Sequence, residues 1–413
     1  MSKRTSPSER RFSVDIHGRR AGILHAAGDN SWFVLDQAYM DDPQRAVLGL
    51  RFEEDRYAIH RAHLLLPPWF SNLLPEGLLR DWIATQRSVS VERELELLVE
   101  VGMDLPGAVT VTPTTDEVAV PASRREVVAK RPREDRDTWR FSLAGVQMKF
   151  SMLSSGQRFT APARGEYGGW IMKLPDTKFP HVPQNEFAMM ELARQSGIDV
   201  PETRLVHRDQ IASVPSQLWP DGEELAYAIR RFDRGPNGTR IHMEDLAQVR
   251  GFYPHHDGKY RGDYETVANL IYRGRDIQSL EEFVRRLAFN VLIRNGDAHL
   301  KNWSLLYRDP RIPALSPAYD LVCTNVYQGV DNLALKLGGS KRFENVTLGS
   351  FGALQHRLGI TSTDFADLAN ETIERAFAAW PDVEANLSGT ALVRRIGAIL
   401  QTSASAMRKN EPA

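Results

Sequence analysis

Asp297 and Asn302 stand five residues apart in Asn295-Gly-Asp-Ala-His-Leu-Lys-Asn302, at the end of a long amphipathic stretch. A carboxylate that can take a proton from a hydroxyl, and an amide oxygen that can hold Mg²⁺, share one short turn in a protein-kinase catalytic loop at this same spacing. Eighteen residues beyond Asn302 comes Asp320, after Tyr319. It is a second candidate ligand for a cation that prefers hard oxygens. His299 and Lys301, between Asp297 and Asn302, are placed to touch phosphates or to hold the loop. The chemistry would be phosphoryl transfer from a nucleotide. An Asp followed five residues later by an Asn is common in any chain, so the other parts of such a site must be found elsewhere.

Phosphoryl transfer leaves little covalent work to the protein and depends on positioning and charge neutralisation. It calls for a lysine on the phosphates and a loop over them. Lys173 ends the apolar run Gly168-Gly-Trp-Ile-Met-Lys-Leu174, which reads as a buried strand where a solvated lysine is out of place. Glu186, near the start of the next helix, is its candidate partner; a strand-end lysine that reaches solvent is the competing reading. Ser142-Leu-Ala-Gly-Val-Gln-Met-Lys149 has a single glycine, Gly145, and fits neither G-x-G-x-x-G nor the Walker pattern. Its place upstream of the Lys173 strand makes it the candidate phosphate loop. Arg231-Phe-Asp-Arg234 falls where a hinge between lobes belongs, with Phe232 offering a flat apolar surface beside a base. A core aromatic flanked by a salt-bridged surface would explain the same residues.

The elements that must position these groups are legible in outline. Phe12-Ser-Val-Asp-Ile16 and Ala21-Gly-Ile-Leu24 alternate around the Gly18 turn and predict a hairpin with one buried face. Ala46-Val-Leu-Gly-Leu-Arg-Phe52 is a second alternating segment. Asn72-Leu-Leu-Pro-Glu-Gly77 reads as a packed turn joining strand to helix. The stretch from Thr112 to Asp137 lacks any sustained period and reads as a linker, with Val118 to Val120 and Val127-Val128 as short edge strands at most. Asn185 to Ser196 is helical, with Gly197 where a C-cap belongs, and Tyr227 to Phe232 is a strand. Beyond about Gly235 helical periods dominate, as in Phe283, Leu287 and Val291. The expected domains are 1–120, strand-rich; 121–235, an N-lobe with phosphate loop and hinge; and 236–413, a helical C-lobe.

At 413 residues, with 42% apolar and 25% charged residues, the chain matches a globular protein of two or three domains. The formal charge, 52 basic against 53 acidic residues or −1, gives no global argument for nucleic acid or membrane as the main partner. The one cysteine, Cys323, cannot form an intramolecular disulfide, so nothing indicates an oxidising compartment. No apolar run approaches the roughly 18 residues of a membrane span, and the polar N-terminus does not read as a signal peptide. The expected location is cytoplasmic.

Taken in order, Asn72 to Gly77, Phe141 to Lys149, Asn185-Glu186, Arg231 to Arg234, Glu244-Asp245, Asn295 to Asn302 and Tyr319-Asp320 resemble the HipA family of toxin-antitoxin serine/threonine kinases, over roughly residues 12 to 380. The resemblance implies an α+β, protein-kinase-like two-lobed fold with a small β-containing N-terminal domain and a mostly helical C-terminal lobe. It makes Asp297 the catalytic aspartate and Asn302 and Asp320 the magnesium ligands. ATP would be bound by Ala144, Gly145, Val146, Gln147, Met148 and Lys149 over the phosphates, by Lys173, and by Arg230, Arg231 and Phe232 along the adenine. His299, Leu300, Lys301, Asn302, Tyr319 and Asp320 would complete the site. Ser142 would be the autophosphorylated serine that silences the enzyme. The implied partners are a HipB-like helix-turn-helix antitoxin, operator DNA reached through that complex, and a protein substrate such as an aminoacyl-tRNA synthetase. Two alternatives stand beside this reading. A silent nucleotide-binding corepressor module is opposed by the joint presence of Lys173, Asp297, Asn302 and Asp320, and a small-molecule kinase by Ser142 in its loop.

Overall fold

The computed structural model describes residues 9–116, 124–130, 147–162, 167–212, 214–255, 257–327, 332–387 and 391–409. The chain divides into two compact units. Unit 1 comprises Met1–Thr138, Asp233–Lys259 and Ser304–Pro313; unit 2 comprises Trp139–Phe232, Tyr260–Trp303 and Ala314–Ala413.

Unit 1 is built on a six-stranded sheet in the order Val109–Thr114, Arg10–Ile16, Arg19–Ala27, Asn30–Leu35, Ile59–His63, Glu126–Val128. The predicted hairpin is its centre. Ile16 pairs with Arg19, and His17 and Gly18 between them both take positive φ, 50° and 73°. Such a turn matches the twist of the strands it joins. Phe12, Val14 and Ile16 alternate into a core that also holds Phe33, Trp69 and Phe70. The edge strand at Val127-Val128 forms, parallel to Ile59–His63, whereas Val118 to Val120 lie outside the described residues.

Two expectations in this unit need correcting. The alternating segment Ala46 to Phe52 does not make a strand: Leu50–Glu54 is helical. Leu48 and Phe52, both buried, are four apart and so lie on one helical face as well as on one strand face. Gly49 decides between them, because a Cβ there would lie 2.5 Å from the Trp69 indole nitrogen, an approach that interrupts the segment. The second correction concerns Glu244-Asp245, which falls in the region read as helical. It lies in the strand His242–Asp245, paired antiparallel with Ser304–Tyr307.

Asn72 to Gly77 is the packed turn expected, but it joins two helices, Pro68–Ser71 and Gly77–Arg87, and not a strand to a helix: Pro68 sits in the first turn, where a missing N–H costs nothing. Leu73 and Leu74 are buried, and the Asn72 amide donates to the carbonyls of Pro68 (2.8 Å) and Phe252 (2.7 Å). Glu76 pairs with the Lys259 ammonium at 2.6 Å.

Unit 2 begins with a five-stranded sheet ordered Thr203–His207, Leu225–Arg230, Trp170–Lys173, Lys149–Ser155, Arg158–Thr160, all antiparallel. The helix Val182–Gln195 packs on it, and Gly197, with φ 87°, turns the chain away after its C-cap. The rest is mainly helical: Tyr264–Tyr272, Ile277–Leu292, Leu348–Leu358, Phe365–Asn386 and Ala391–Met407, with a hairpin of Asn332–Leu337 and Ser340–Arg342. Asp276 caps Ile277–Leu292 by accepting from Ser279 N at 3.0 Å. Phe283, Leu287 and Val291 are buried along its inner face, as their spacing predicts. Among the described residues no helix is long and apolar enough to cross a membrane.

Glu244 supplies a pH test of unit 1. Its carboxylate is fully buried and accepts from Leu50 N (2.9 Å), Tyr307 OH (2.6 Å) and Trp69 Nε1 (3.2 Å). Burial nevertheless outweighs these bonds and pushes its pKa up to about 7. The folded unit therefore keeps a proton that the unfolded chain releases. That contribution to stability is complete below the ordinary carboxylate value and is lost as pH rises through about 7. Denaturant unfolding of wild type and Glu244→Gln at about pH 5 and about pH 8 should show the wild type losing on the order of 3 kcal/mol relative to the variant. Parallel pH profiles would refute this assignment.

Candidate active site

Lys149 and Lys173 are direct cross-strand partners in the unit 2 sheet, so both side chains leave the same face. Lys173 is buried. Its ammonium donates both to Glu186, in the helix Val182–Gln195, and to Asp320, while Lys149 stands 3.7 Å from the other Asp320 oxygen. Burial alone would push Lys173 toward neutrality, but the two carboxylates hold it firmly cationic. Burial would likewise raise Asp320, yet Lys149 and Lys173 hold it well below the ordinary carboxylate range. Glu186, fully buried beside a second carboxylate, is shifted upward despite Lys173. The lysine is thus the partner of Glu186 and not a strand-end cation in solvent.

Asp320 has φ 55°, a left-handed conformation that is uncommon outside glycine. Such a backbone persists only where its surroundings hold it. Asn295 Nδ2 donates to the Asp320 carbonyl at 3.3 Å. Three residues on, Asn185 accepts from Cys323 N and donates to Cys323 O, both at 3.0 Å. Adjacent residues of one helix, Asn185 and Glu186, therefore fix the Asp320 segment through backbone and side chain.

The segment Asn295 to Asn302 leaves the end of Ile277–Leu292 through Arg294, which is also left-handed (φ 48°). Thr324 Oγ1 donates to Arg294 O (3.0 Å) and accepts from Gly296 N (2.8 Å). Asn295 is anchored on Asn290 Oδ1 (2.8 Å) and caps Asp297 N (3.1 Å). Asn302 Nδ2 donates to Asp297 O at 3.0 Å. The five-residue spacing closes a turn in which the Asn302 amide nitrogen is committed to the backbone and its oxygen is the atom to offer a cation.

Asp297, Asn302, Asp320, Lys149, Lys173, Glu186 and Gln147 line one cavity together with Asn295 and Thr324. Of the other residues singled out in the sequence, Met148 is buried and its carbonyl accepts from Leu174 N at 2.9 Å. His299 and Leu300 are buried within the turn. Tyr319 OH donates to Lys301 O at 2.7 Å, and the Tyr319 ring meets Phe232 with centroids 5.7 Å apart. Arg231 N donates to Gly169 O at 2.8 Å. Arg230 reaches Glu202 at 3.6 Å and does not line the cavity. Ser142, Ala144, Gly145 and Val146 lie outside the described residues.

The donor set fits magnesium and a polyphosphate. Asn302 and Asp320 offer hard oxygens, and two lysines supply positive charge. No group of three or more His, Cys, Asp or Glu side chains suited to a metal occurs among the described residues. No spacing or motif singles out Thr324 or Tyr260, which the fold brings to the same segment.

The HipA N-terminal domain model matches residues 12–112 and the HipA-like C-terminal domain model residues 141–380. The chain belongs to the HipA family. The Sinorhizobium fredii protein Y4dM, a kinase by name, is 42% identical over 394 residues, covering 92% of this chain and 94% of that protein. The serine/threonine-protein kinase toxin HipA of Shewanella oneidensis is 28% identical over 297 residues, covering 62% of this chain and 63% of the toxin. A solved complex of Shewanella oneidensis HipA, HipB and operator DNA contains a chain that matches with TM-score 0.71 at 20% identity, over 95% of this chain and 96% of that one. The α+β architecture expected from the sequence is therefore that of a HipA-type kinase. Unit 2 alone carries both the antiparallel sheet with its helix and the helical remainder.

Removing one member of a buried charge cluster strands the others at a cost of several kcal/mol. Lys173→Met, which keeps the side-chain volume, should destabilise unit 2 by about 3 to 5 kcal/mol, and a Lys173→Met/Glu186→Gln double variant should recover part of that loss. Urea midpoints would test this, and a single variant as stable as wild type would show that the cluster contributes little.

Proposed function

We propose that the protein is an ATP- and Mg²⁺-dependent serine/threonine protein kinase, the toxin of a HipA/HipB-like toxin-antitoxin pair acting in the cytoplasm. The observation that carries this reading is the convergence of Lys173, Glu186, Asp297, Asn302 and Asp320 on one cavity. Mg²⁺ supplies charge neutralisation and an anchor for the phosphates, through the Asn302 and Asp320 oxygens. Lys173, held cationic by Glu186, orients the phosphates. Asp297 accepts the proton of the acceptor hydroxyl as its oxygen bonds to the γ-phosphorus and the bond to ADP breaks. Gln147, Met148 and Lys149, with Ala144, Gly145 and Val146 before them, would cover the phosphates, while Arg230, Arg231 and Phe232 would lie along the adenine. His299, Leu300, Lys301 and Tyr319 support the nucleotide site.

Regulation follows from charge. A phosphate on Ser142 would bring about −1.5 to −2 units of charge to the loop that precedes Gln147. A loop so modified would not stay docked beside a site built for triphosphate, and on that ground we assign autophosphorylation of Ser142 as the silencing step. The likeness in fold to a chain solved with HipB and operator DNA supports a HipB-like antitoxin as partner, with DNA reached through it. A translation component such as an aminoacyl-tRNA synthetase is the proposed substrate.

Incubation of purified protein with radiolabelled ATP and Mg²⁺ tests the reading. Wild type should become labelled, Asp297→Ala should lose transfer by roughly 100- to 10,000-fold, and Asp320→Ala should lose it with nucleotide affinity. Ser142→Ala should remove label from the chain. Absence of label on wild type, together with absence of nucleotide binding by unphosphorylated protein, would sink the kinase reading. Growth arrest retained by Asp320→Ala would favour the corepressor module.

A further inference from the structure

We propose that Tyr260 is a positioning residue for Asp297, an inference that rests on the kinase reading above. The Tyr260 phenol donates to Asp297 Oδ1 at 2.5 Å. It comes from a one-turn 3-10 helix, Gly258–Tyr260, 37 residues upstream of the carboxylate it touches. No feature of the sequence connects the two.

The Asp297 backbone is held separately from its carboxylate. Asp297 N is held by Asn295, and Asp297 O accepts from Asn302 Nδ2 and His299 N. These fix the backbone. The terminal torsion of an aspartate is broad and two-fold, so a fixed backbone does not determine which carboxylate oxygen faces an acceptor hydroxyl. A donor on Oδ1 does. Hydrogen bonds to an ionised acceptor are about twice as strong as neutral ones.

A phenol bonded to a catalytic carboxylate has an opposite reading, in which it fills the place of the acceptor hydroxyl and must leave. The geometry points to a fixed support. The Tyr260 ring packs edge-on against His299, with centroids 5.1 Å apart and planes at 80°, and its carbonyl accepts from Lys341 Nζ at 3.5 Å. The ring is thus braced by the catalytic turn, and the Tyr260 backbone is tied to the strand Ser340–Arg342.

Tyr260→Phe keeps the ring and removes only the hydroxyl. Three quantities decide the matter: the single-turnover rate of labelling at saturating radiolabelled ATP, the affinity for a fluorescent ADP analogue, and the melting temperature. The rate should fall roughly 10- to 100-fold, with nucleotide affinity and melting temperature unchanged. A rate equal to wild type would overturn the assignment, and a faster one would show that Tyr260 is a plug. A fall that tracks lost nucleotide affinity or melting temperature would reduce Tyr260 to a structural role. Failure of wild type both to label and to bind the ADP analogue when unphosphorylated would remove the kinase reading and this inference together, whereas labelling by wild type with no effect of Tyr260→Phe removes this inference alone.

Discussion

The Lys173 ammonium, buried between Glu186 and Asp320, is the interaction on which the arrangement of unit 2 depends. A buried cation is tolerated only when it is paired, and a buried carboxylate likewise. Each of the three therefore constrains the others. The strand Trp170–Lys173 must end where its last side chain meets the helix, the helix Val182–Gln195 must present Glu186 to the sheet, and Asp320 must adopt a left-handed backbone to arrive. A one-residue slip of the strand would turn Lys173 to the opposite face and leave both acids without their cation. Buried polar clusters of this kind specify one arrangement more than they add net stability, and here Glu186 Oε2 is left without a hydrogen-bond partner.

Around that cluster the catalytic segment is held by short polar side chains bonded to backbone. Thr324 spans Arg294 O and Gly296 N, Asn290 holds Asn295, and Asn185 grips both backbone groups of Cys323. Asn, Thr and Asp satisfy backbone groups that irregular chain leaves unpaired. They cost little side-chain entropy to fix compared with Lys or Glu. The left-handed backbone at Arg294 and at Asp320 brackets the segments that carry Asp297 and Asp320, the pattern of strain held in place by surrounding bonds.

What the sequence revealed of this site divides along the same physics. Residues whose chemistry is unusual for their surroundings were legible: a lysine ending an apolar strand, a polar cluster following an apolar helix, and Glu186 near the start of the next helix. The hairpin at Gly18 and the helix bearing Phe283, Leu287 and Val291 were legible because period and turn chemistry agree. Ala46 to Phe52 misled because Leu48 and Phe52 satisfy both periods and the contact of Gly49 with Trp69 is non-local. Glu244 misled similarly: a four-residue strand paired with a partner about sixty residues later leaves no local signature. Thr324 and Tyr260 were out of reach, since a hydroxyl that bonds a distant backbone or carboxylate looks like any other hydroxyl in sequence.

Like charges directly opposite on antiparallel strands are destabilising, yet Lys149 faces Lys173 at the centre of this sheet. The pairing is sustained because Asp320 lies between reach of both. Asp320 and Glu186 together match the two ammonium groups, and Asp297 adds a third carboxylate to the same cavity. On the kinase reading the cavity as it stands therefore has no surplus positive charge for a polyphosphate, and the cation held by Asn302 and Asp320 would have to supply it. A divalent cation there would be a stronger partner for Asp320 than either ammonium. Lys173 would then be released from Asp320 toward the phosphates while still paired with Glu186, so the same carboxylate that holds the sheet together without a ligand would couple metal to nucleotide.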